Sequence, residues 1–290
     1  MSITVTRLSY ALGAAITGVD LSEPLDAGTV AAIRQAWLDN LVLVFPGQDI
    51  SPAEQIRFSR YLGQVDEYPL QHYRLPGHPE IFHLSNVSEV GVGKAQMANL
   101  GRHWHSDLSF TSVPATGSML RCKEIPDYGG TTAFANQYMA YETLSPTFRE
   151  RIEHLTAVHE LFSKTKNLQD LDQGQVKDLQ KKNPRIAQPM VRVHSETGRK
   201  ALYVSEAVTT DIIGMNQEES DALLEFLFRH QTRMEFTYRH TWSRNDIVLW
   251  DNRCALHMAV PDNDHLQPRV MYRTTLTGTP CGTPVELLGN

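Results

Sequence analysis

The sequence predicts a mainly β protein, a sandwich or jelly roll with helices packed on its outside. Two observations carry this. Short apolar runs bounded by turn residues recur along the chain, at Leu41–Phe45, Ala201–Ser205, Met234–Arg239, Ile247–Trp250 and Val270–Leu276. Helix signals are few and separated by these runs. With 290 residues, 41% of them hydrophobic, there is material for one large core. No repeat or low-complexity stretch divides residues 1–290, which are expected to form a single domain.

The elements follow in order. Asp26 caps a stretch that carries Val30, Ile33 and Trp37 on one face. Ser51-Pro52-Ala53-Glu54 is a capping box with Pro in the first turn, closed by Gly63. Ser145-Pro146 opens a helix with Phe148, Ile152 and Leu155 at helical spacing. Asn216 with Glu219 caps a helix rich in Leu223, Leu224, Leu227 and Phe228. Two segments read either as lids over a site or as ordinary surface loops: 86–101, with Gly91, Gly93 and Gly101, and 163–184, rich in Lys, Gln and Asp.

The formal net charge is -6, and no Lys/Arg run exceeds a pair. This argues against nucleic acid or an anionic membrane as partner. No apolar run approaches the roughly 18 residues of a membrane span. Met1–Arg7 lacks the regions of a signal peptide. Cys122, Cys254 and Cys281 form an odd, unspaced set, expected to be reduced thiols of a cytoplasmic protein.

Candidate chemistry concentrates at three places. In extended chain, residues i and i+2 share a face, so His105 and Asp107 can reach one metal while Ser106 points away. An imidazole and a carboxylate give mixed N/O ligation suited to Fe(II), with room for a third ligand and open positions. A closed zinc site would want more Cys or His. His-x-Asp alone is a common pattern. Among the twelve histidines, His257 stands out by its surroundings. It follows the strand-like Ile247–Trp250 and the polar Asp251-Asn252-Arg253, and precedes turn-rich 261–264 and the Arg269–Arg273 run. A hairpin-like layout would let His257 and Arg269 face one another across neighbouring strands. Taken by itself, the stretch is more simply a polar strand pair with a buried histidine. Fe(II) holding one carboxylate would accept the keto-acid end of 2-oxoglutarate. The distal carboxylate then wants a planar bidentate partner, which Arg269 supplies better than a lysine. Thr132, after Gly129-Gly130, is a hydroxyl donor for the same group.

With these residues in hand, the chain resembles the TauD/TfdA family of Fe(II)/2-oxoglutarate-dependent dioxygenases. The resemblance runs through residues 13–21, Leu43–Gln48, Trp104-His105-Ser106-Asp107 with Phe110, Gly129-Gly130-Thr131-Thr132, Trp250-Asp251-Asn252-Arg253, His257, Arg269 and Arg273. It implies a double-stranded β-helix (jelly roll), Fe(II) bound by His105, Asp107 and His257, and 2-oxoglutarate bound by Thr132 and Arg269, with O2 consumed. It also implies a small anionic organic substrate contacted by Arg273 (a carboxylate, aryloxyalkanoate, sulfonate or sulfate ester), and a homo-oligomer (dimer or tetramer). The implied reaction is hydroxylation with release of succinate and CO2, with C–O or C–S cleavage where the hydroxylated carbon bears a heteroatom. Asp107 favours hydroxylation, because related halogenases lack this carboxylate. Thr131 stands where the family has Asp. Tyr68 falls where the taurine enzyme has a substrate-binding His, which argues for carboxylates or aryloxyalkanoates over taurine. Leu84–Ser88 with Lys94 look more like the phenoxyacetate enzyme, making Lys94 a candidate second anion contact. His72, Tyr73, His103 and Phe162 are candidate pocket-lining residues. Desaturation by the same chemistry, a non-catalytic metal-binding protein of this fold and a zinc hydrolase are the competing readings; the last gives Arg269 no role.

Overall fold

The computed structural model describes residues 3–68, 71–87, 101–161, 181–262 and 267–288. An eight-stranded sheet runs in the order Thr4–Arg7, Ala14–Thr17, Val42–Phe45, Ile247–Asp251, Gly117–Glu124, Val270–Leu276, His78–Ser85, Arg74–Leu75. Facing it is a three-stranded sheet, in which Thr132–Asn136 lies between Thr237–His240 and Ala255–Ala259. Two smaller sheets flank this pair. The result is the jelly-roll architecture the strand pattern predicts.

Burial explains the strongest strand signals. Val42–Phe45 is buried throughout because both of its faces are covered. Leu43 and Phe45 join the core beneath the helices Ala27–Asn40 and Pro52–Leu62. Val42 and Val44 join a second core with Phe134 and Trp250, between the two sheets. Ile247–Asp251 is split the same way, so both strands read as unbroken apolar runs. A third cluster packs Leu224 and Leu227 of the helix Gln217–Gln231 over Ile152, Val191 and Leu202.

The capping signals hold. Ser51 and Glu54 bond reciprocally, as do Asn216 and Glu219. Asp26 accepts from the Thr29 N–H, and Thr29 is buried where Val30 is only partly so. Two expected strands are shorter: Ala201–Ser205 contracts to Lys200–Leu202, and Met234–Phe236 is a 3-10 turn before Thr237–His240.

One expectation is corrected. His257 and Arg269 do not face each other across a hairpin. Ala255–Ala259 pairs with Thr132–Asn136, whereas Val270–Leu276 pairs with Gly117–Glu124 and His78–Ser85 in the opposite sheet. The two strands lie in different sheets, and both find partners far away in sequence. Gly117–Glu124 itself escapes a local reading because Arg121 interrupts its apolar pattern, although Arg121 is only 1% exposed. Gly117 is required there: a Cβ would come within 2.6 Å of the Trp37 ring. Of the two expected lids, only residues 86, 87, 101 and 181–184 fall among those described.

Candidate active site

The site lies between the two main sheets. His257 sits mid-strand, opposite Phe134. His105 lies outside any strand, but it forms an isolated bridge with His257: each N–H donates to the other's carbonyl, at 3.0 and 2.9 Å. That backbone pair sets the two imidazoles side by side, ring centroids 4.1 Å apart. The chain then turns sharply through Leu108 at φ 57°, a left-handed conformation that costs a leucine on the order of 1–3 kcal/mol. The turn directs the Asp107 carboxylate back toward the rings. His105 Nε2 is 3.9 Å from Asp107 Oδ1, and His257 Nε2 is 3.7 Å from Asp107 Oδ2.

One ligand atom from each of the three lies within 4.8 Å of the others. Nδ1 of His105 is 2.8 Å from the His103 carbonyl. A carbonyl only accepts, so Nδ1 carries the proton and the Nε2 lone pair faces the site. Burial, opposed in part by Asp107, holds both imidazoles in the neutral form, that of His257 down to about 3. Burial pushes the Asp107 carboxyl up, but Arg273, His257, His105 and Ser118 outweigh it and hold the group well below the usual carboxylate range. Two neutral imidazoles and an ionised carboxylate on one side of an open space suit Fe(II).

The 2-oxoglutarate candidates sit on different elements: Thr132 opens a strand of the smaller sheet, and Arg269 directly precedes a strand of the larger one. Thr132 Oγ1 accepts from the Trp242 indole N–H at 3.0 Å, which leaves its own proton free to donate. The Arg269 guanidinium lies against Gly130, whose φ of 65° suits glycine: a Cβ there would stand 3.5 Å from Arg269 Nε and 3.1 Å from Ile125. Burial presses the pKa of Arg269 down, and among the described residues no carboxylate pairs with it. A partly buried guanidinium against Gly130, two residues before a free hydroxyl donor in the chain, suits the distal carboxylate of a keto diacid. Thr131, standing where the family has Asp, is hydrogen-bonded to Asp262, which also pairs with Arg239. A carboxylate is thus supplied to this corner from the far side.

The substrate candidates divide. Arg273 Nη1 is 2.9 Å from Asp107 Oδ1, and its guanidinium lies 5.0 Å from the Phe82 ring centroid. Tyr68 stacks on Phe82 at 4.2 Å, and Tyr73 meets Phe82 edge-on at 5.7 Å. His103 is half exposed and lies 3.6 Å from Glu206. Lys94, Phe162 and the side chain of His72 lie outside the described residues.

Sequence reasoning missed Trp242 behind Thr132 and Ser118, and it named Asn86 and Asn252 only as members of motifs, without a role. Asn86 accepts the Arg269 backbone N–H at 2.7 Å and donates to the Gln267 carbonyl at 2.8 Å. A second cluster with ligand-type atoms, His194, Asp251 and Cys254, is structural. His194 Nδ1 accepts from the Glu196 and Thr197 N–H groups, so Nε2 carries the proton and donates to Asp251 at 3.0 Å. Arg253 takes both Asp251 oxygens. No imidazole lone pair is left for a metal.

Comparison with known proteins agrees with this geometry. Residues 4–275 match the model of the taurine catabolism dioxygenase TauD, TfdA family. The chain is 32% identical to a (S)-phenoxypropionate/alpha-ketoglutarate-dioxygenase of Delftia acidovorans, over 96% of each chain. It is 33% identical to an alpha-ketoglutarate-dependent sulfate ester dioxygenase of Pseudomonas putida, over 99% of this chain and 94% of that one. The crystal structure of AAD-2 in complex with Mn(II) and N-oxalylglycine superposes with a TM-score of 0.83 at 31% identity, covering 97% of this chain and 98% of the other. The chain belongs to the TauD/TfdA family and is an Fe(II)/2-oxoglutarate-dependent dioxygenase.

Proposed function

We propose that this enzyme hydroxylates a small organic carboxylate bearing an aromatic ring, of the aryloxyalkanoate kind. The observation that carries the reading is the placement of Arg273. It stands beside the metal-ligating carboxylate and against an aromatic wall of Phe82, Tyr68 and Tyr73. A guanidinium provides a bidentate seat for the substrate carboxylate, and the wall offers ring faces and edges to an aryl group. The phenoxypropionate-oxidising relative supports this choice.

His105, Asp107 and His257 would hold Fe(II); Arg269 and Thr132 would hold the distal carboxylate of 2-oxoglutarate. The bound metal and keto acid supply the oxidising power, with succinate and CO2 released. The protein's own work is placement. Arg273 fixes one end of the substrate so that the carbon next to its carboxylate faces the metal, and the aromatic wall keeps water from that carbon. Hydroxylation of a carbon bearing an ether oxygen gives a product that separates into a phenol and an oxo acid.

The sulfate ester relative favours a second reading, in which Arg273 receives a sulfate. A panel of (S)-2-phenoxypropionate, 2,4-dichlorophenoxyacetate, an alkyl sulfate and taurine, scored by succinate and organic product, separates the two. The proposal expects phenol release from the aryloxyalkanoates with the highest kcat/KM. Turnover of the alkyl sulfate alone would replace it, an unsaturated product would mark desaturation, and no turnover of either aryloxyalkanoate would overturn it.

A further inference from the structure

We propose that Ser118 and Asn252 are positioning residues that lock the Asp107 carboxylate for metal binding; the inference rests on the metal-site reading above. Asp107 lies in a turn, with no strand ladder to fix it, and follows a backbone bridge that constrains only His105. The Ala115 N–H donates to its carbonyl at 3.3 Å and Arg273 to Oδ1 at 2.9 Å; its N–H and Oδ2 are held by a closed ring of hydrogen bonds. The Asp107 N–H donates to Asn252 Oδ1 at 3.2 Å. Asn252 Nδ2 donates to Ser118 Oγ at 3.0 Å. The Ser118 hydroxyl donates to Asp107 Oδ2 at 2.6 Å, a short charge-assisted bond.

The direction of every bond follows from one group. The Trp250 indole N–H, which can only donate, points at Asn252 Oδ1 at 3.0 Å. That settles which end of the amide is oxygen. Nδ2 must then face Ser118. Ser118 Oγ, already accepting, must send its proton to the carboxylate, which can only accept. Ser106 ties in the same loop by donating to the Asn252 carbonyl at 2.7 Å. Ser118 is fully buried, Asn252 and Trp250 are 1% exposed and Asp107 is 5% exposed, so water cannot stand in for a lost partner.

With Oδ2 bonded to Ser118, the carboxylate cannot rotate, and Oδ1 is left toward His105 and Arg273. Trp250 also packs on His257, ring centroids 4.7 Å apart, so a single strand end braces two ligands. Groups that orient ligands in this way typically govern metal affinity by about 10- to 100-fold.

Ser118→Ala deletes one hydroxyl without adding volume, and Ser118→Thr keeps the hydroxyl. Mn(II) binding, followed by the loss of the free-ion electron paramagnetic resonance signal in the absence of 2-oxoglutarate, reads affinity without turnover. The proposal expects Ser118→Ala to weaken Mn(II) binding by about 10- to 100-fold while the protein, with a lowered thermal midpoint, stays folded at the titration temperature, and Ser118→Thr to restore binding. Wild-type affinity in Ser118→Ala overturns it, as does a loss that Ser118→Thr, equally well folded, fails to reverse. His257→Ala in the same titration separates the two levels. If it too binds like the wild type, the metal site itself is misassigned; if it alone loses Mn(II), only the positioning role falls.

Discussion

Arg273→Gln should move two properties in opposite directions. In this structure Arg273 spends its charge on Asp107, at 2.9 Å and with its side chain only 14% exposed. A divalent ion arriving at Asp107 meets that cation, and a substrate anion must draw the guanidinium to itself. A buried charge-assisted hydrogen bond contributes about 1.5–3 kcal/mol, or roughly 10- to 150-fold in an equilibrium constant. Removing the guanidinium therefore costs the substrate complex roughly 10- to 150-fold in kcat/KM, mostly through KM. It also releases Asp107, so Mn(II) affinity without substrate should rise. Both are measured at neutral pH or above, where Asp107 is ionised. Its depressed pKa marks a carboxylate whose charged form is the favoured one, and that preference is lost only as pH falls into the acid range. The assays are the Mn(II) titration and 2-oxoglutarate-dependent turnover of an aryloxyalkanoate. Weaker metal binding in Arg273→Gln, or unchanged kcat/KM, would refute the argument that one guanidinium serves both the carboxylate and the substrate.

Other outcomes follow from the interior. Burial holds the His159 imidazole down to about 4, beside Thr209 at 3.2 Å. Its folded pKa lies below its unfolded one, so stability is full above the free-imidazole range and falls as pH drops toward 4. The expected loss is about 2 kcal/mol by pH ~5, and His159→Gln should flatten the Tm-versus-pH curve across that window. Gly117→Ala should destabilise by about 1–3 kcal/mol, because its Cβ would meet Trp37 at 2.6 Å and the Trp250 carbonyl oxygen at 2.9 Å; a Tm equal to the wild type would count against that packing. Burial pushes the Cys122 thiol up to about 12 and Cys254 well above the ordinary value, and both side chains are sealed. Native protein treated with iodoacetamide should therefore carry label at the partly exposed Cys281 and not at the other two, as read by mass spectrometry.

What the sequence made legible was local. The Ser51/Glu54 and Asn216/Glu219 boxes are short-range hydrogen-bond patterns, and they form as read. Val42–Phe45 and Ile247–Asp251 declare themselves because both faces are buried. The candidate triad of His105, Asp107 and His257, which the fold gathers, was suggested by His-x-Asp and the apolar context of His257. The cross-sheet placement of Arg269 was not, because strand partners such as Cys122 for Met271 are distant in sequence. The roles of Ser118 and Asn252 were hidden for a different reason, although Asn252 stands in the Trp250–Arg253 motif. A serine in a strand and an asparagine in a turn are commonplace, and only their orientation toward Asp107 gives them a role.

The central claim is that His105, Asp107 and His257 bind Fe(II) beside a 2-oxoglutarate seat at Arg269 and Thr132. Anaerobic titration of the apoprotein with Fe(II) and 2-oxoglutarate tests it most directly, through the visible metal-to-ligand charge-transfer band of a chelated keto acid. The account predicts that the band appears in the wild type, is lost in His257→Ala, and needs a higher 2-oxoglutarate concentration in Arg269→Ala. A folded wild-type protein that develops no band, or a His257→Ala variant that keeps it, would contradict the account.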